Sequence, residues 1–317
     1  MADIEADPHF RADVLAGLSQ PQKAVPARWL YDYAGSALFE EITRLPEYYP
    51  TRTEAALLDA VCPDLRERIE PGGAVVEFGS GSSVKTPRLL RCVAPAAYVP
   101  IDISGEFLRE AAEALAADFP ELAVHPVEAD FTRAVPLPDA IAGTPVLGFF
   151  PGSTIGNMVP ESATNLLRSM RATLGTGARL LIGMDRVKPV ETLLPAYDDA
   201  AGVTARFNLN LLTRINRELA GTMPVDAFHH EARWNDAHAR VEMHLVADRA
   251  VEFTAASEPF AMAAGETIHT ENSHKYTDRS ARLLLLAGGW TPLVDWTDEA
   301  GQFALILAVA EAERAAP

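Results

Sequence analysis

The feature that most constrains this chain is a short apolar run that stops at a glycine-rich turn and restarts as a helix. Ala74-Val75-Val76-Glu77-Phe78 leads into Gly79-Ser80-Gly81, and a helical stretch begins at Thr86. Five apolar residues bounded by glycine read as a buried strand. The pattern continues with strands expected at Tyr98 to Ile103, Ala123 to Val127, Val146 to Phe150 and Arg179 to Met184. Helices are expected at Thr86 to Cys92, Gly105 to Asp118 and Glu161 to Leu174. Strand, helix, strand at this spacing gives right-handed crossovers and a parallel sheet, an α/β fold. Trp290 to Val294 and Phe303 to Ala310 read as two closing strands that pair antiparallel.

Two segments stand outside that alternation. Residues 1–52 precede the first strand and are rich in aromatics (Trp29, Tyr31, Tyr33, Phe39, Tyr48, Tyr49), and residues 188–275 carry six of the eight histidines. We read them as one discontinuous second lobe that binds substrate, with residues 53–187 and 276–317 forming the sheet domain. Forty-four acidic against 27 basic residues give a net charge of −17, which argues against a nucleic-acid partner. No apolar run approaches the roughly 18 residues of a membrane span. The start, MADIEADPHF, lacks the basic and apolar regions of a signal peptide, and two cysteines, Cys62 and Cys92, fit a reducing compartment. A cytoplasmic monomer is therefore expected.

The glycine loop admits three ligand readings. A phosphate-binding P-loop requires Gly where Val84 precedes Lys85-Thr86, and a dinucleotide fingerprint requires Gly or Ala at that same position. The acid-x-Gly-x-Gly loop of S-adenosylmethionine-dependent methyltransferases needs only Glu77, Gly79 and Gly81, all present. Asp102 closes the next strand, 25 residues on, where a carboxylate can accept both ribose hydroxyls. Asp130-Phe131 closes the third, where an acid can take an adenine amino group and a ring can cover the base. Each acid alone reads as a helix cap or a solvated strand end. Three in register with a glycine loop favour a nucleoside, and a methyl donor over a nicotinamide cofactor.

Further blocks carry a specific resemblance. Leu30-Tyr31-Asp32, Leu45-Pro46-Glu47-Tyr48-Tyr49-Pro50-Thr51-Arg52-Thr53-Glu54, Phe150 to Asn157, Tyr197-Asp198-Asp199, Phe207 to Leu211, Arg240 to Leu245 and Glu266 to Ser273 occur in order over residues 28–276. Together they resemble the histidine-specific N-alpha-methyltransferases of ergothioneine biosynthesis. The resemblance implies a class I, Rossmann-like methyltransferase sheet with a discontinuous α/β substrate lobe. It also implies conversion of L-histidine, through its mono- and dimethyl forms, to the trimethylammonium betaine hercynine with S-adenosylmethionine as donor. By the same resemblance Gly79, Lys85, Asp102, Asp130 and Phe131 contact the donor beside Glu77 and Gly81. Asn157 and Tyr197 hold the amino acid carboxylate. Tyr31 serves the amine as the catalytic group. Tyr48, with Tyr49 as the alternative one position on, lines the amine end. Glu271 and Ser273 read the imidazole with Met243 beside them.

The chemistry sets its own demands. Methyl transfer from a sulfonium needs a neutral amine lone pair, aligned and dry, and alignment alone supplies ~7–11 kcal/mol. A carboxylate beside the amine would stabilise its ammonium form, so a tyrosine hydroxyl suits the position better. Aromatic faces accept the growing trimethylammonium charge. Trp29 and Phe39, near helical spacing with Tyr33, read as core, and Asn157 reads equally as a cap of the helix that follows it. The histidines show no H-x-x-x-H pair with a nearby Glu, so no metal is expected. The rivals are an enzyme for another amino acid, such as tryptophan, and a non-catalytic binding homologue. Retention of Asn157, Tyr197 and Glu271 argues against the second.

Overall fold

The computed structural model describes residues 7–80, 85–103 and 105–311. In chain order its elements begin with α1 (Pro8–Leu18), β1 (Lys23–Ala24), α2 (Tyr33–Ile42), α3 (Tyr49–Arg68), β2 (Ala74–Phe78), α4 (Thr86–Val93), β3 (Ala97–Asp102) and α5 (Gly105–Asp118). There follow β4 (Ala123–Val124), β5 (Val127–Glu128), β6 (Val146–Phe150), α6 (Pro160–Leu174), β7 (Arg179–Asp185), α7 (Val190–Leu193) and α8 (Val203–Glu218). The chain closes with β8 (Phe228–Asn235), β9 (Arg240–Ala247), β10 (Val251–Ala255), β11 (Glu258–Met262), β12 (Thr267–His274), α9 (Asp278–Ala287), β13 (Thr291–Thr297) and β14 (Phe303–Val309). Two compact units result, Met1–Tyr49 with Lys188–His274, and Pro50–Val187 with Lys275–Pro317.

The Pro50–Val187 and Lys275–Pro317 unit is built on one sheet in the order β13-β14-β7-β6-β2-β3-β4, with β5 also on β3. β7, β6, β2, β3 and the β4/β5 pieces run parallel, while β14 pairs antiparallel with both β7 and β13. This is the class I methyltransferase order, with its closing antiparallel pair. The third strand is broken into β4 and β5 because Pro126 offers no N–H to the ladder. Every residue of β2 is buried. Val76 and Phe78 pack on one face with Leu166, Met170 and Trp290, and Val75 packs on the other with Leu58, Leu65 and Leu89. Burial on both faces is why such strands read as unbroken apolar runs rather than alternations. Cys62 of α3 and Cys92 of α4 are joined by a disulfide, with Cα atoms 5.7 Å apart. That bond corrects the reading of two cysteines as the mark of a reducing compartment.

The Met1–Tyr49 and Lys188–His274 unit carries a four-stranded sheet in the order β1-β12-β9-β8 and the hairpin β10-β11. α8 lies on it through Val203, Phe207, Leu211 and Ile215, a face of period four. Asp199 starts that helix by accepting the amides of Val203 (2.9 Å) and Thr204 (2.7 Å). β12 carries a bulge between His269 and Glu271, so His269 stands opposite His244 while Glu271 stands opposite Met243 and Ser273 opposite Val241. No helix among the described residues is long and apolar enough to cross a membrane.

Candidate active site

Two groups of residues emerge, one in each unit. In the sheet unit, β2 ends at Gly79, whose φ of +70° is a left-handed conformation that only glycine adopts without strain. A Cβ placed there would meet the Phe131 ring at 3.6 Å, so the missing side chain leaves a gap between backbone and ring. Phe131 is held at that spot by Phe78 and Phe150, with ring centroids 6.1 and 6.2 Å away. Asp102 ends β3 half-buried, and Asp130 forms a tight turn by accepting the backbone N–H (2.9 Å) and hydroxyl (2.7 Å) of Thr132. Gly81 lies outside the described residues.

Glu77 and Lys85 are both engaged by neighbouring polar groups. The Glu77 carboxylate is fully buried and accepts the hydroxyls of Thr86 (2.7 Å) and Tyr98 (2.6 Å). Burial pushes its pKa up to about 7. The Lys85 ammonium donates to Glu54 at 2.7 Å, in a pair 9% and 1% exposed. Glu54 also accepts the Gly152 amide at 2.8 Å. Gly183 makes room for that carboxylate, since a Cβ there would stand 2.1 Å from Glu54 Oε1. Thr86, Tyr98 and Glu54 were not singled out from the sequence. Only a polar residue's burial would have revealed them.

Asn157 ends a 3₁₀ turn, Thr154–Asn157, just after β6. It does not cap α6, whose N-cap is Val159 with no side-chain bond. A hollow of about 350 Å3, lined by Gly73, Val146 and Arg179 among others, lies at the amino ends of the strands. Ligands of open α/β sheets bind at the carboxyl ends, where Gly79, Asp102 and Asn157 stand.

In the other unit six expected residues converge. Tyr31, Phe39, Phe207, Tyr48 and Tyr197 form a chain of rings at 5.4–6.2 Å between centroids, mostly edge to face. Tyr48 is the member that joins Phe39 to Tyr197, whereas the Tyr49 hydroxyl accepts from Lys188 at 2.7 Å. The Tyr197 hydroxyl bonds Ser273 Oγ at 2.7 Å. Glu271, 8% exposed, shares the Ser273 face of β12 and pairs in register with buried Met243. The Tyr31 pKa is raised well above its ordinary value, first by burial of the hydroxyl and then by the negative field of Glu271. Tyr31 is nevertheless 37% exposed as a residue. Its hydroxyl is enclosed while one flank of the residue stays accessible. Trp29 is core, its ring tilted against Phe10 at 4.8 Å and its N–H donated to Asp13.

Behind the ring chain lies a support absent from the sequence reading. Fully buried Asn208 donates to His230 Nδ1 at 2.9 Å, which fixes the tautomer, and His230 Nε2 donates to the Tyr197 carbonyl at 2.7 Å. Burial lowers the His230 pKa, so the ring holds Tyr197 in place as a neutral group.

These geometries can be set beside known proteins. A family model described as histidine-specific methyltransferase, SAM-dependent, matches residues 10–310. Over 308 residues the chain is 42% identical to a histidine N-alpha-methyltransferase of Mycolicibacterium smegmatis, covering 95% of this chain and 94% of that one. A histidine N-alpha-methyltransferase of Mycobacterium tuberculosis is 40% identical over 305 residues, covering 94% of each. Ergothioneine biosynthesis protein 1 of Neurospora crassa is 28% identical over 298 residues, 87% of this chain and 32% of that relative.

Proposed function

The chain belongs to the histidine-specific, SAM-dependent methyltransferases, and from that premise we propose that it methylates the alpha-amino nitrogen of L-histidine three times to give hercynine, a step of ergothioneine biosynthesis. S-adenosylmethionine supplies the electrophilic methyl group. At each turn an N–C bond forms, the S–C bond breaks, and the amine proton lost beforehand passes to water.

The observation that carries the reading is the β12 face: a buried carboxylate and a hydroxyl two residues apart, against Met243. Glu271 accepts one ring N–H of histidine and Ser273 serves the other nitrogen. Tyr197, already bonded to Ser273, extends its hydroxyl to the same substrate, and Asn157 takes the carboxylate. Tyr31, like any tyrosine, is a neutral phenol at physiological pH, and burial disfavours its phenolate further. Its oxygen accepts an N–H of the neutral amine and aims the lone pair. The rings of Tyr31, Phe39 and Tyr48 accommodate the trimethylammonium product. Asp102 holds the donor's ribose, Asp130 and Phe131 its adenine, and the backbone at Gly79 and Gly81 its amino acid end. Glu77 and the Lys85–Glu54 pair flank the donor site as a buried polar support.

A site with a desolvated carboxylate rejects side chains that cannot pair with it by ~10⁴–10⁵. Glu271→Ala should therefore lose most activity on histidine while gaining measurable methylation of tryptophan or phenylalanine. The ratio of kcat/KM for histidine over tryptophan decides the matter. An unchanged ratio in a folded variant would retire Glu271 as the imidazole reader.

A further inference from the structure

The strands that present Glu271 and Ser273 carry a second convergence on their opposite face. Side chains alternate along β9, so Glu242 and His244 point away from Met243. The bulge in β12 turns His269 to that same side, directly across from His244. One donor atom from each of Glu242, His244 and His269 falls within 4.8 Å of the others. The two imidazoles stack with centroids 4.8 Å apart and planes 18° from parallel. Glu242 is 12% exposed at its side chain and His244 5%.

Hydrogen bonding divides the atoms into those already served and those facing inward. Arg240 (2.7 Å) and Asn235 (2.9 Å) both donate to Glu242 Oε1. Glu242 Oε2 lies 3.2 Å from His244 Nε2. His244 Nδ1 lies 3.2 Å from Thr267 Oγ1, and His269 Nε2 donates to the Glu271 carbonyl at 3.0 Å. His269 thus uses one nitrogen on a backbone acceptor, as metal-ligating histidines do to fix their tautomer. Between His244 Nε2 and Glu242 Oε2 sits a proton that a bound cation would displace. Donors of a tetrahedral zinc shell at about 2.0–2.1 Å stand roughly 3.3 Å apart, close to that 3.2 Å contact. Asn272, opposite Glu242 in the register, places a buried amide oxygen beside His269 and offers a fourth oxygen. The neighbouring charges balance: Arg240 pairs with Glu242, and Arg233 with Glu231, which stands opposite His244.

We infer that Glu242, His244 and His269 form a structural site for a divalent transition-metal ion, with zinc suited best by two imidazoles and a carboxylate. The ion ties β9 to β12 at the bulge. It thereby holds the register that sets Glu271 and Ser273 side by side on the other face. The inference does not depend on the identity of the methyl acceptor, since its test reads metal binding.

The test uses the full, tag-free chain stripped with chelator, titrated with Zn²⁺ by calorimetry and with Co²⁺ by visible absorption. One ion per chain is expected, with the intense ligand-field bands of tetrahedral cobalt. His244→Gln and His269→Gln should each weaken affinity by ~10-fold or more. His229→Gln, a change to an exposed ring on Asp248, should match the parent protein. No saturable binding by the parent protein would overturn the site, because His244 Nε2 would then simply donate to Glu242. Unchanged affinity in both folded variants would place the ion elsewhere and overturn it equally.

Discussion

Gly79 shows how much one position decides. Its left-handed backbone strains any larger residue, and a side chain there would occupy the space in front of the Phe131 ring. Gly79→Val should abolish S-adenosylmethionine binding in a calorimetric titration while L-histidine still binds. Wild-type donor affinity in that variant would remove the loop from the donor site. The glycine and its strand were legible in the sequence because both signals are local. Glu77 was only half legible. The motif marks an acid, but its burial against Thr86 and Tyr98 is a matter of tertiary packing that the letter does not carry. Tyr48 and Tyr49 posed a similar ambiguity, and the structure separates them by partner, Tyr197 for one and Lys188 for the other.

At the scale of elements, Glu77 links β2, β3 and α4 through Tyr98 and Thr86. Its folded-state pKa of about 7 lies above the value of about 4.5 that it has unfolded, so the native state holds the proton more tightly. Its contribution to stability is complete below about pH 4.5 and is lost as pH rises through 7, by at most roughly 1.4 kcal/mol per unit. His230, His244 and His269, with lowered pKa values, pull the slope the other way. The Glu77 effect is therefore the difference between the parent protein and Glu77→Gln. Between pH 5 and 7 the parent protein should lose stability relative to that variant; parallel melting curves would contradict the assignment. Asp199 acts on α8 alone. Asp199→Ala removes two caps and should cost about 1–2 kcal/mol in urea unfolding, with KM for the donor unchanged. An unaltered midpoint would show that other contacts hold the helix start.

The parallel strands were legible because burial on both faces writes them as unbroken apolar runs. β4 and β5 were read as one strand, since a proline interruption is visible only as lost pairing. The β8-β9-β12 strands were not placed from residue patterns, although the resemblance implied an α/β lobe. Their outward face carries Glu242 and His244, which blur the apolar signal. The support chain Asn208–His230–Tyr197 and the Glu242–His244–His269 cluster both join residues distant in sequence, and no local spacing encodes them.

For the whole molecule, the two discontinuous units carry chemically distinct sets of groups. One holds the glycine turn and acids that suit a nucleoside donor, and the other the rings, carboxylate and hydroxyl that suit histidine. The account stands or falls on the acceptor. The most direct measurement incubates the protein with S-adenosylmethionine and an equimolar mixture of the twenty amino acids, then follows every amino acid by mass spectrometry. The account predicts that L-histidine gains one, two and finally three methyl units while the others stay unmodified. Methylation of a different amino acid in preference to histidine, or of none, would contradict it.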